Sequence, residues 1–310
     1  MVRRGSEPVT LAVDLGATKV AARLSVGADY VKERRFSLPR LNDGIAELES
    51  LITFLKSFRA SERDIDGIGV AVAPTVGVDG RVVRWPNRAY WRGLSLREAL
   101  ENALGGPTVI RDDGCAAAMA DAIALDVRDL AHLTLGTGVG GGLVSAGELL
   151  NTPRGGATEF GHMIMAPEGR ACSCGRKGCL QAYASATALQ NMVFGASVAD
   201  GLFRFKARYD TREEKAVLAL SLAVNMLAAA AVNLVEIFNV PAISFSGGLV
   251  DVFPGLPEMV GEAAGKLWRE GQTPADFLRS PHGPDASLAG AVALARLSAE
   301  GGYEHCTTIE

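Results

Sequence analysis

The stretch that decides the fold is EFGHMIMAPEGRACSCGRKGCLQAYAS, residues 159–185. Three of the five cysteines of this 310-residue chain, Cys172, Cys174 and Cys179, lie within eight positions of one another, and His162 lies ten residues before the first of them. Three thiolates and one imidazole form a ligand set that fills a tetrahedral zinc site of the structural kind. Buried free thiols and a redox-active Cys-x-Cys pair are the alternatives. Cysteines bunched between glycines, in a chain otherwise poor in cysteine, favour zinc.

Two polar side chains, Glu159 and Gln181, bracket the predicted metal loop. If a bound metal fixes polar side chains on both sides of itself, we expect the loop to form one rigid side of a binding site for a small polar ligand. We therefore expect the zinc to be a scaffold rather than a catalyst.

The composition argues against several classes of protein. An apolar fraction of 48% and a charged fraction of 21% are ordinary for a soluble globular enzyme, and a net charge of -4 without a basic run argues against binding nucleic acid. The richest apolar run, residues 217–235, is interrupted by polar side chains, so we expect that no apolar stretch approaches the length a bilayer needs and that the protein has no membrane partner. The N-terminal MVRRGSEPVT lacks an apolar signal core, and odd, clustered cysteines fit a reducing cytosol, which predicts a cytoplasmic protein. Cys306 lies in a polar tail, and we assign it no role.

Two strand–turn–strand units of the same kind lie more than a hundred residues apart. An apolar run over 9–13 leads into DLGATK at 14–19, and the strand at 132–135 leads into GTGVGGG at 136–142. Backbone amides in such turns can cradle phosphate, and the carboxylate of Asp14 could hold a metal-bound water. A hairpin without a ligand is the alternative for the first turn. A Rossmann dinucleotide turn is rejected because the glycines do not open a helix.

The rest of the chain alternates strands and helices. Further strands are predicted at 65–73, 82–83, 108–110 and 241–245, and helices at 41–58, 96–104, 115–125, 187–193, 213–233, 266–270 and 287–294. Ligands gather at the carboxyl ends of strands in open α/β sheets, which makes the adjacent Asp112 and Asp113 candidates for a general base. Helix capping is the alternative for one of them. The glycine pair after 241–245 suits a nucleoside ring, with simple loop closure as an equal alternative.

With these motifs in order, the chain resembles the ROK family of repressors, open reading frames and sugar kinases. DLGATK resembles the first phosphate motif of the family, LGTGVGGG the second, SGGL the adenosine motif, and residues 159–185 the family signature. The resemblance implies an α/β fold of the two-lobed actin-like ATPase (ribonuclease-H-like) type. Residues 1–112 with a C-terminal helix at about 288–300 would form the small lobe, and 113–287 the large lobe with its zinc loop at 162–179. The resemblance also implies that the protein is a homodimer.

The resemblance implies an ATP-dependent kinase, with Mg²⁺ bound beside the nucleotide, that phosphorylates the 6-hydroxyl of a glucose-like hexose. Asp113 would accept the proton of the attacking sugar hydroxyl. The implied substrate-binding residues are Asp112, Glu159, His162, Gln181, Asn87 and Thr75. The implied ATP and phosphate residues are Asp14, Gly16, Thr18, Lys19, Thr137, Gly138, Gly247 and Gly248. The implied zinc ligands are His162, Cys172, Cys174 and Cys179.

The sequence departs from the family pattern at four positions, where Asp112 and Cys115 replace Asn, and Asp121 and Gln181 replace Glu. A carboxylate only accepts hydrogen bonds and attracts a cation, whereas an amide also donates. Carboxylates converging near C3 of the sugar therefore predict a substrate with an ammonium group there, best matched by 3-amino-3-deoxyglucose (kanosamine). Gln181 would remove one negative charge at the anomeric end.

The chain thus resembles, more loosely, the kanosamine kinases of antibiotic-producing bacteria. A glucokinase or another hexose or N-acetylhexosamine kinase is the alternative. A sugar-sensing repressor is disfavoured, because Asp14 lies too near the start of the sequence for a preceding DNA-binding segment.

Overall fold

The computed structural model describes residues 7–58, 64–150 and 158–301, so Cys306 and the tail around it lie outside the described part. The chain forms two compact units. One comprises the described residues up to 120 together with 287–301, and the other comprises 121–150 and 158–286. The boundaries of the small and large lobes given from the sequence stay a prediction.

The first unit is built on a five-stranded sheet in the order β3-β2-β1-β4-β7, with a separate pair formed by β5 and β6. The strands are β1 (Val9–Leu15), β2 (Lys19–Val26), β3 (Asp29–Ser37), β4 (Gly67–Val72), β5 (Thr75–Val76), β6 (Val82–Arg84) and β7 (Thr108–Asp112). The pairs β1–β2 and β2–β3 are antiparallel, whereas β1–β4 and β4–β7 are parallel. The helices that begin in this part of the chain are α1 (Gly44–Lys56), α2 (Leu96–Leu104) and α3 (Asp113–Ala124). Asp43 caps α1 by accepting from two backbone amides, and Gly105 ends α2 in the left-handed region.

The second unit repeats this plan, with a sheet in the order β10-β9-β8-β11-β12. Its strands are β8 (Leu130–Leu135), β9 (Val139–Ser145), β10 (Glu148–Leu149), β11 (Ala242–Ser246) and β12 (Asp276–Arg279). Its helices are α4 (Gln181–Ala184), α5 (Ala186–Phe194), α6 (Gly201–Asp210), α7 (Glu214–Phe238), α8 (Gly248–Val252) and α9 (Leu256–Ala264). The last helix, α10 (Ala286–Ala299), belongs to the first unit from residue 287 onward.

Helix α7 is the core of the second unit. Among the described residues it is the one helix long and apolar enough to cross a membrane by length and composition, so the expectation that no stretch approaches that length was wrong. However, 56% of its most apolar window is buried within the protein, where the helix packs on α4, α5 and α9. The core helix of a globular unit passes the same test, so α7 is weak evidence for a membrane.

The structure confirms both predicted hairpins, since β1 pairs with β2 and β8 with β9 in antiparallel register around the glycine turns. The helix predicted at 266–270 is wrong, because α9 ends at Ala264 and the chain continues in turns. Helix α3 begins at Asp113 instead of Cys115. Strands β3 and β12 were not predicted from the sequence.

Helix α10 lies directly on strand β4. A Cβ atom at Gly69 would stand 2.1 Å from the carbonyl oxygen of Ala291 and 2.3 Å from the backbone nitrogen of Ala295, and Gly67 meets the same helix equally closely. Backbone atoms cannot move aside as the end of a flexible side chain can. The strand and the helix therefore approach each other only because these positions carry no side chain.

We predict that Gly69→Ala lowers the free energy of unfolding by about 3 kcal/mol, because the new methyl group forces α10 off β4. Urea denaturation followed by circular dichroism measures this difference. Gly255→Ala is the matched control, since nothing lies within 4 Å of a Cβ at Gly255 and its φ is negative. Equal stability of the two variants would contradict the close helix–strand contact.

Candidate functional site

The predicted metal ligands come together in the second unit. The ligand atoms of His162, Cys172, Cys174 and Cys179 all lie within 4.8 Å of one another. The Sγ atoms of Cys174 and Cys179 are 3.7 Å apart, and the Sγ of Cys172 is 3.8 Å from Nδ1 of His162. Local backbone contacts hold the loop, since the amide of Cys172 donates to the Arg176 carbonyl.

This donor set fits a structural Zn²⁺ ion. Zn–S bonds of about 2.3 Å in tetrahedral geometry separate two sulfurs by roughly 3.8 Å, which is close to the spacing seen here. Three thiols and one imidazole complete the coordination shell and leave no open position for a reacting ligand. The residues therefore fit a zinc that stiffens the loop rather than one that takes part in chemistry.

The thiols of the cluster differ in acidity. The Arg176 guanidinium, which donates to the Cys174 sulfur, lowers the pKa of that thiol to about 6. Burial and the neighbouring thiols raise the pKa of Cys179 to about 12. Metal binding therefore displaces at least one proton at neutral pH, because zinc binds thiolates.

Glu159 and His162 lie on a turn fixed against strand β9. Thr158 just before them has a positive φ of 61°, which is uncommon for a β-branched residue, and its hydroxyl donates to the Gly141 carbonyl at 2.9 Å. A Cβ at Gly161 would lie 2.0 Å from the Val139 carbonyl oxygen, so the turn rests on the strand backbone.

The imidazole of His162 faces the cluster and Glu159 at the same time. Its Nδ1 points to the sulfur of Cys172, while its Nε2 is 3.9 Å from Oε2 of Glu159. The Glu159 side chain is 57% exposed and the His162 side chain 22% exposed. The pair therefore joins the metal loop to a polar surface that a ligand can reach.

The second glycine turn adjoins the same cluster. The turn closes through a hydrogen bond from the Gly136 amide to the Gly138 carbonyl, around Thr137. A Cβ at Gly138 would lie 3.1 Å from Oε1 of Gln181, whose Nε2 donates to the Cys172 sulfur at 3.1 Å and to the Ser173 hydroxyl at 3.3 Å. The amide of Gln181 thus links the predicted phosphate turn to the metal loop.

The third glycine motif lies beside the second. Gly247 has a φ of 96°, and a Cβ there would stand 2.6 Å from the carbonyl oxygen of Leu135. Gly248 begins α8. A side chain at 247 would be excluded both by the backbone conformation and by contact with the end of β8, so this position requires glycine.

The other predicted residues lie in the first unit, and those in or next to β1, β4 and β7 lie along one edge of its sheet. The parallel register aligns the strand ends, pairing Leu15 with Val72 and Val72 with Asp112. Asp14 and the first glycine turn therefore lie at the same edge as the end of β7, and Thr75, in β5, follows the end of β4. Ligands collect at such an edge in α/β sheets.

The first turn is a tight hairpin loop. The amide of Gly16 donates to the Lys19 carbonyl at 3.0 Å, and the Thr18 carbonyl accepts from the amide of Leu38 at 3.0 Å. The side chains of Thr18 and Lys19 are exposed. These contacts fix the backbone of the turn and leave both side chains outside the core.

The adjacent carboxylates Asp112 and Asp113 have different local positions. Asp112 ends β7 and its Oδ1 accepts from the Gly114 amide at 3.0 Å, whereas Asp113 is the first residue of α3. The capping alternative therefore holds for Asp112. Asp113 stands at the positive end of the helix, where a carboxylate is stabilised.

Sequence reasoning missed a buried ion pair that supports the first turn. Glu47 of α1 and Arg88 are 0% and 2% exposed and form a salt bridge. Arg88 donates from Nε to the Ala17 carbonyl at 3.0 Å and from its terminal nitrogens to the Leu38 and Pro39 carbonyls. The guanidinium thus holds the backbone of DLGATK in place.

The carboxylate of Glu47 is saturated with donors. Trp91 Nε1 donates at 2.7 Å, the Tyr90 hydroxyl at 2.8 Å and the Leu41 amide at 2.7 Å, in addition to Arg88. Burial alone would raise the pKa of Glu47, but these hydrogen bonds hold it below the usual 4.5. A depressed folded pKa means that the stabilisation is present above pH about 4.5 and is lost as the pH falls through the lower folded value.

Asn87, the residue before Arg88, is anchored by the same segment, since its carbonyl accepts from Arg40 at 2.9 Å. The sequence held one signal of this network, an arginine placed between two tryptophans in WPNRAYW. Both tryptophans are buried, which forces the arginine between them to find partners inside the protein.

Comparison with known proteins gives consistent similarities. A family model described as the ROK family matches residues 10–297. A kanosamine kinase from Amycolatopsis mediterranei is 35% identical, over 95% of this chain and 98% of that protein. An N-acetylmannosamine kinase from Escherichia coli is 33% identical, over 93% and 98%. The crystal structure of a ROK family glucokinase from Streptomyces griseus in complex with glucose and AMPPNP is 25% identical with a TM-score of 0.73, covering 93% of this chain and 99% of that one.

We predict that the purified protein holds one zinc ion per chain and that Cys174→Ser loses it. Thermal unfolding should then occur at a lower temperature, because zinc binding contributes folding free energy. Mass spectrometry of the native protein and calorimetry measure the two effects. Cys115→Ala, which changes a buried cysteine of α3 outside the cluster, should keep the metal. Full zinc content in Cys174→Ser would refute the ligand set.

We predict that Arg88→Ala lowers the free energy of unfolding by about 3–5 kcal/mol, because it leaves the carboxylate of Glu47 buried without its partner. Chemical denaturation at neutral pH measures this loss. The control is Arg23→Ala, which breaks a salt bridge to Glu33 whose side chains are 29% and 22% exposed and should change stability by about 1 kcal/mol or less. Comparable losses would show that the buried pair has no special role.

Proposed function

This chain belongs to the ROK family, and from that premise we propose that it phosphorylates the 6-hydroxyl of a glucose-like amino sugar with ATP. It has the actin-like ATPase fold and is a carbohydrate kinase, as predicted from the sequence. The proposal concerns the sugar and the residues that act on it. The observation that carries it is the pair of adjacent carboxylates, Asp112 and Asp113, at the sheet edge where the first glycine turn also lies.

Asp113 is the proposed base. Phosphoryl transfer asks mainly for positioning and charge neutralisation, so one carboxylate that accepts the proton of the sugar hydroxyl suffices. The proposed phosphate-binding residues lie in and around the glycine turns, Asp14, Gly16, Thr18 and Lys19 in the first unit and Thr137, Gly138, Gly247 and Gly248 in the second. Mg²⁺, bound with ATP near Asp14, would neutralise charge on the phosphates.

The other residues proposed to contact the sugar lie on segments that neighbouring structure holds in place. Glu159 and His162 stand on the turn that the metal loop and β9 hold, and they would bind sugar hydroxyls. Asn87 and Thr75 would complete the sugar-binding set in the first unit. Gln181 is proposed near the anomeric end, although its amide is engaged with the sulfur of Cys172 in the structure.

The specificity for an amino sugar rests on charge. Asp112 and Asp113 are neighbours of the same sign, and their repulsion would be relieved by an ammonium group on the substrate. A neutral hydroxyl stabilises two neighbouring carboxylates less than an ammonium group does, because it carries no positive charge. The similarity to a kanosamine kinase supports 3-amino-3-deoxyglucose as the substrate.

A neutral sugar is the second candidate. The similarity to an N-acetylmannosamine kinase and to a glucokinase favours a neutral hexose or N-acetylhexosamine. In that case Asp112 would serve to cap α3 through its contact with the Gly114 amide. A regulator that senses sugar without turnover is a third candidate and would consume no ATP. We also propose a cytoplasmic homodimer that binds neither nucleic acid nor membrane, in keeping with the net charge of -4.

A kinase assay with glucose, mannose, glucosamine, N-acetylmannosamine and kanosamine tests the proposal. We expect the highest kcat/KM for kanosamine, with the phosphate on O6 as assigned by NMR. Asp113→Asn should retain the fold and reduce turnover by at least about a hundredfold, as expected for loss of a general base. A higher kcat/KM for any neutral sugar would contradict the amino-sugar assignment.

We predict that Asp112→Asn shifts the ratio of kcat/KM for kanosamine and glucose towards glucose by about tenfold, because the ammonium loses an anionic partner and keeps only a neutral amide acceptor. Asparagine can keep the cap on the Gly114 amide, so the fold should be unchanged. Asp79→Asn, an exposed change of the same charge in the same unit, is the control. An unmoved ratio in Asp112→Asn would refute the electrostatic account.

A further inference from the structure

A buried histidine lies beneath the ends of two strands in the second unit. His132 of β8 and Asp121 of α3 are both 0% exposed, and Asp121 Oδ2 is 3.0 Å from Nδ1 of His132. Asp121 Oδ1 accepts from the Ser280 hydroxyl at 2.7 Å, and the Ser244 hydroxyl lies 2.9 Å from Nδ1. None of these groups was assigned a role in substrate binding or phosphoryl transfer.

The chemistry of the carboxylate fixes the state of the ring. Burial would raise the pKa of Asp121, but the hydrogen bond and charge of His132, together with the serine hydroxyls, hold it below its usual value. An ionised carboxylate only accepts hydrogen bonds, so Nδ1 of His132 carries the hydrogen and donates it. The other ring nitrogen, Nε2, lies on the opposite side of the ring from Asp121.

Nε2 of His132 faces two hydroxyls. The Ser246 hydroxyl lies 2.9 Å and the Thr134 hydroxyl 3.1 Å from Nε2 of His132. Ser246 and Thr134 are register partners at the ends of β11 and β8. The residue after Ser246 is Gly247, and the turn that begins at Gly136 follows Thr134 by two residues.

We propose that His132, oriented by Asp121, is a positioning residue for nucleotide binding, because its Nε2 holds together the two strand ends that carry the second and third glycine motifs. The inference rests on the proposed function, in which these motifs bind the nucleotide. The contact of Gly247 with the backbone of Leu135 makes the spacing of the two strand ends matter. The histidine acts through the turns and touches neither substrate.

Two amide variants distinguish the contact made by Nδ1 of His132 from the contacts made by Nε2. The amide nitrogen of asparagine reaches the position of Nδ1 and that of glutamine the position of Nε2, so His132→Asn keeps the bond to Asp121 and His132→Gln keeps contact with the hydroxyls. We expect His132→Asn to raise the KM for ATP by about three- to tenfold, with the sugar KM within about twofold of wild type. His132→Gln should restore the ATP KM, even if its stability is lower.

Thr134→Val and Ser246→Ala remove, one at a time, the hydroxyls that contact Nε2 of His132. These changes disturb the core less than replacing the histidine does. Each should also raise the KM for ATP and weaken binding of a fluorescent ATP analogue in the absence of sugar. Ser145→Ala, which removes a hydroxyl–carboxylate bond to Asp129 on the exposed end of β9, is the matched control and should change neither KM.

The outcomes separate the inference from the proposed function. If His132→Asn, Thr134→Val and Ser246→Ala lose stability but keep the wild-type KM for ATP, the network is structural and the inference is wrong. Equal rises in both KM values would overturn it too. A wild-type protein that neither consumes nor binds the nucleotide would overturn the proposed function, and the inference with it.

Discussion

The parallel pairing of strands that end together is the constraint on which the candidate site depends. In the first unit the register aligns the last residues of β1, β4 and β7, and in the second it aligns Thr134 with Ser246. A one-residue slip would turn every side chain of a strand to the opposite face. Because each strand runs into a turn or a helix at its end, the register also decides which backbone amides and carboxylates become neighbours. Both units use the same strand order, so the same rule produces a glycine turn in each.

Buried charge fixes these turns more firmly than apolar packing alone could. The guanidinium of Arg88 donates to three backbone carbonyls and its charge is balanced by Glu47, while the imidazole of His132 is oriented by the carboxylate of Asp121. Apolar contacts tolerate small displacements, but a hydrogen bond weakens steeply when its geometry changes. A buried ion pair adds little net stability compared with apolar residues of the same size. Here the guanidinium also donates to the backbone carbonyls of Ala17, Leu38 and Pro39, so displacing that backbone would break hydrogen bonds to a buried charge.

Local patterns in the sequence predicted the local features of the protein. Both hairpins were predictable because an apolar run, a glycine turn and a second apolar run follow each other directly, and the metal ligands because they share one loop. Strand β3 was missed because it is an exposed edge strand with five charged residues in DYVKERRFS. The segment after Ala264 was assigned as a helix on its charges alone, and its backbone turns instead. Glu47 and Arg88 lie 41 positions apart, and His132 and Ser246 lie 114 apart, so no spacing in the sequence relates them.

The amide of Gln181 has a local physical role beside the metal loop. A carboxylate at this position would place acceptor oxygens against the Cys172 sulfur, which becomes an anion when it binds a metal. The amide instead donates to that sulfur at 3.1 Å, and hydrogen bonds from such neighbours stabilise thiolate ligands. Its oxygen faces Gly138, where a side chain would come within 3.1 Å. The amide therefore sets the polarity of the contact between the metal loop and the glycine turn. Because its donor group is engaged with sulfur, only its oxygen is left for a sugar hydroxyl at the proposed anomeric end.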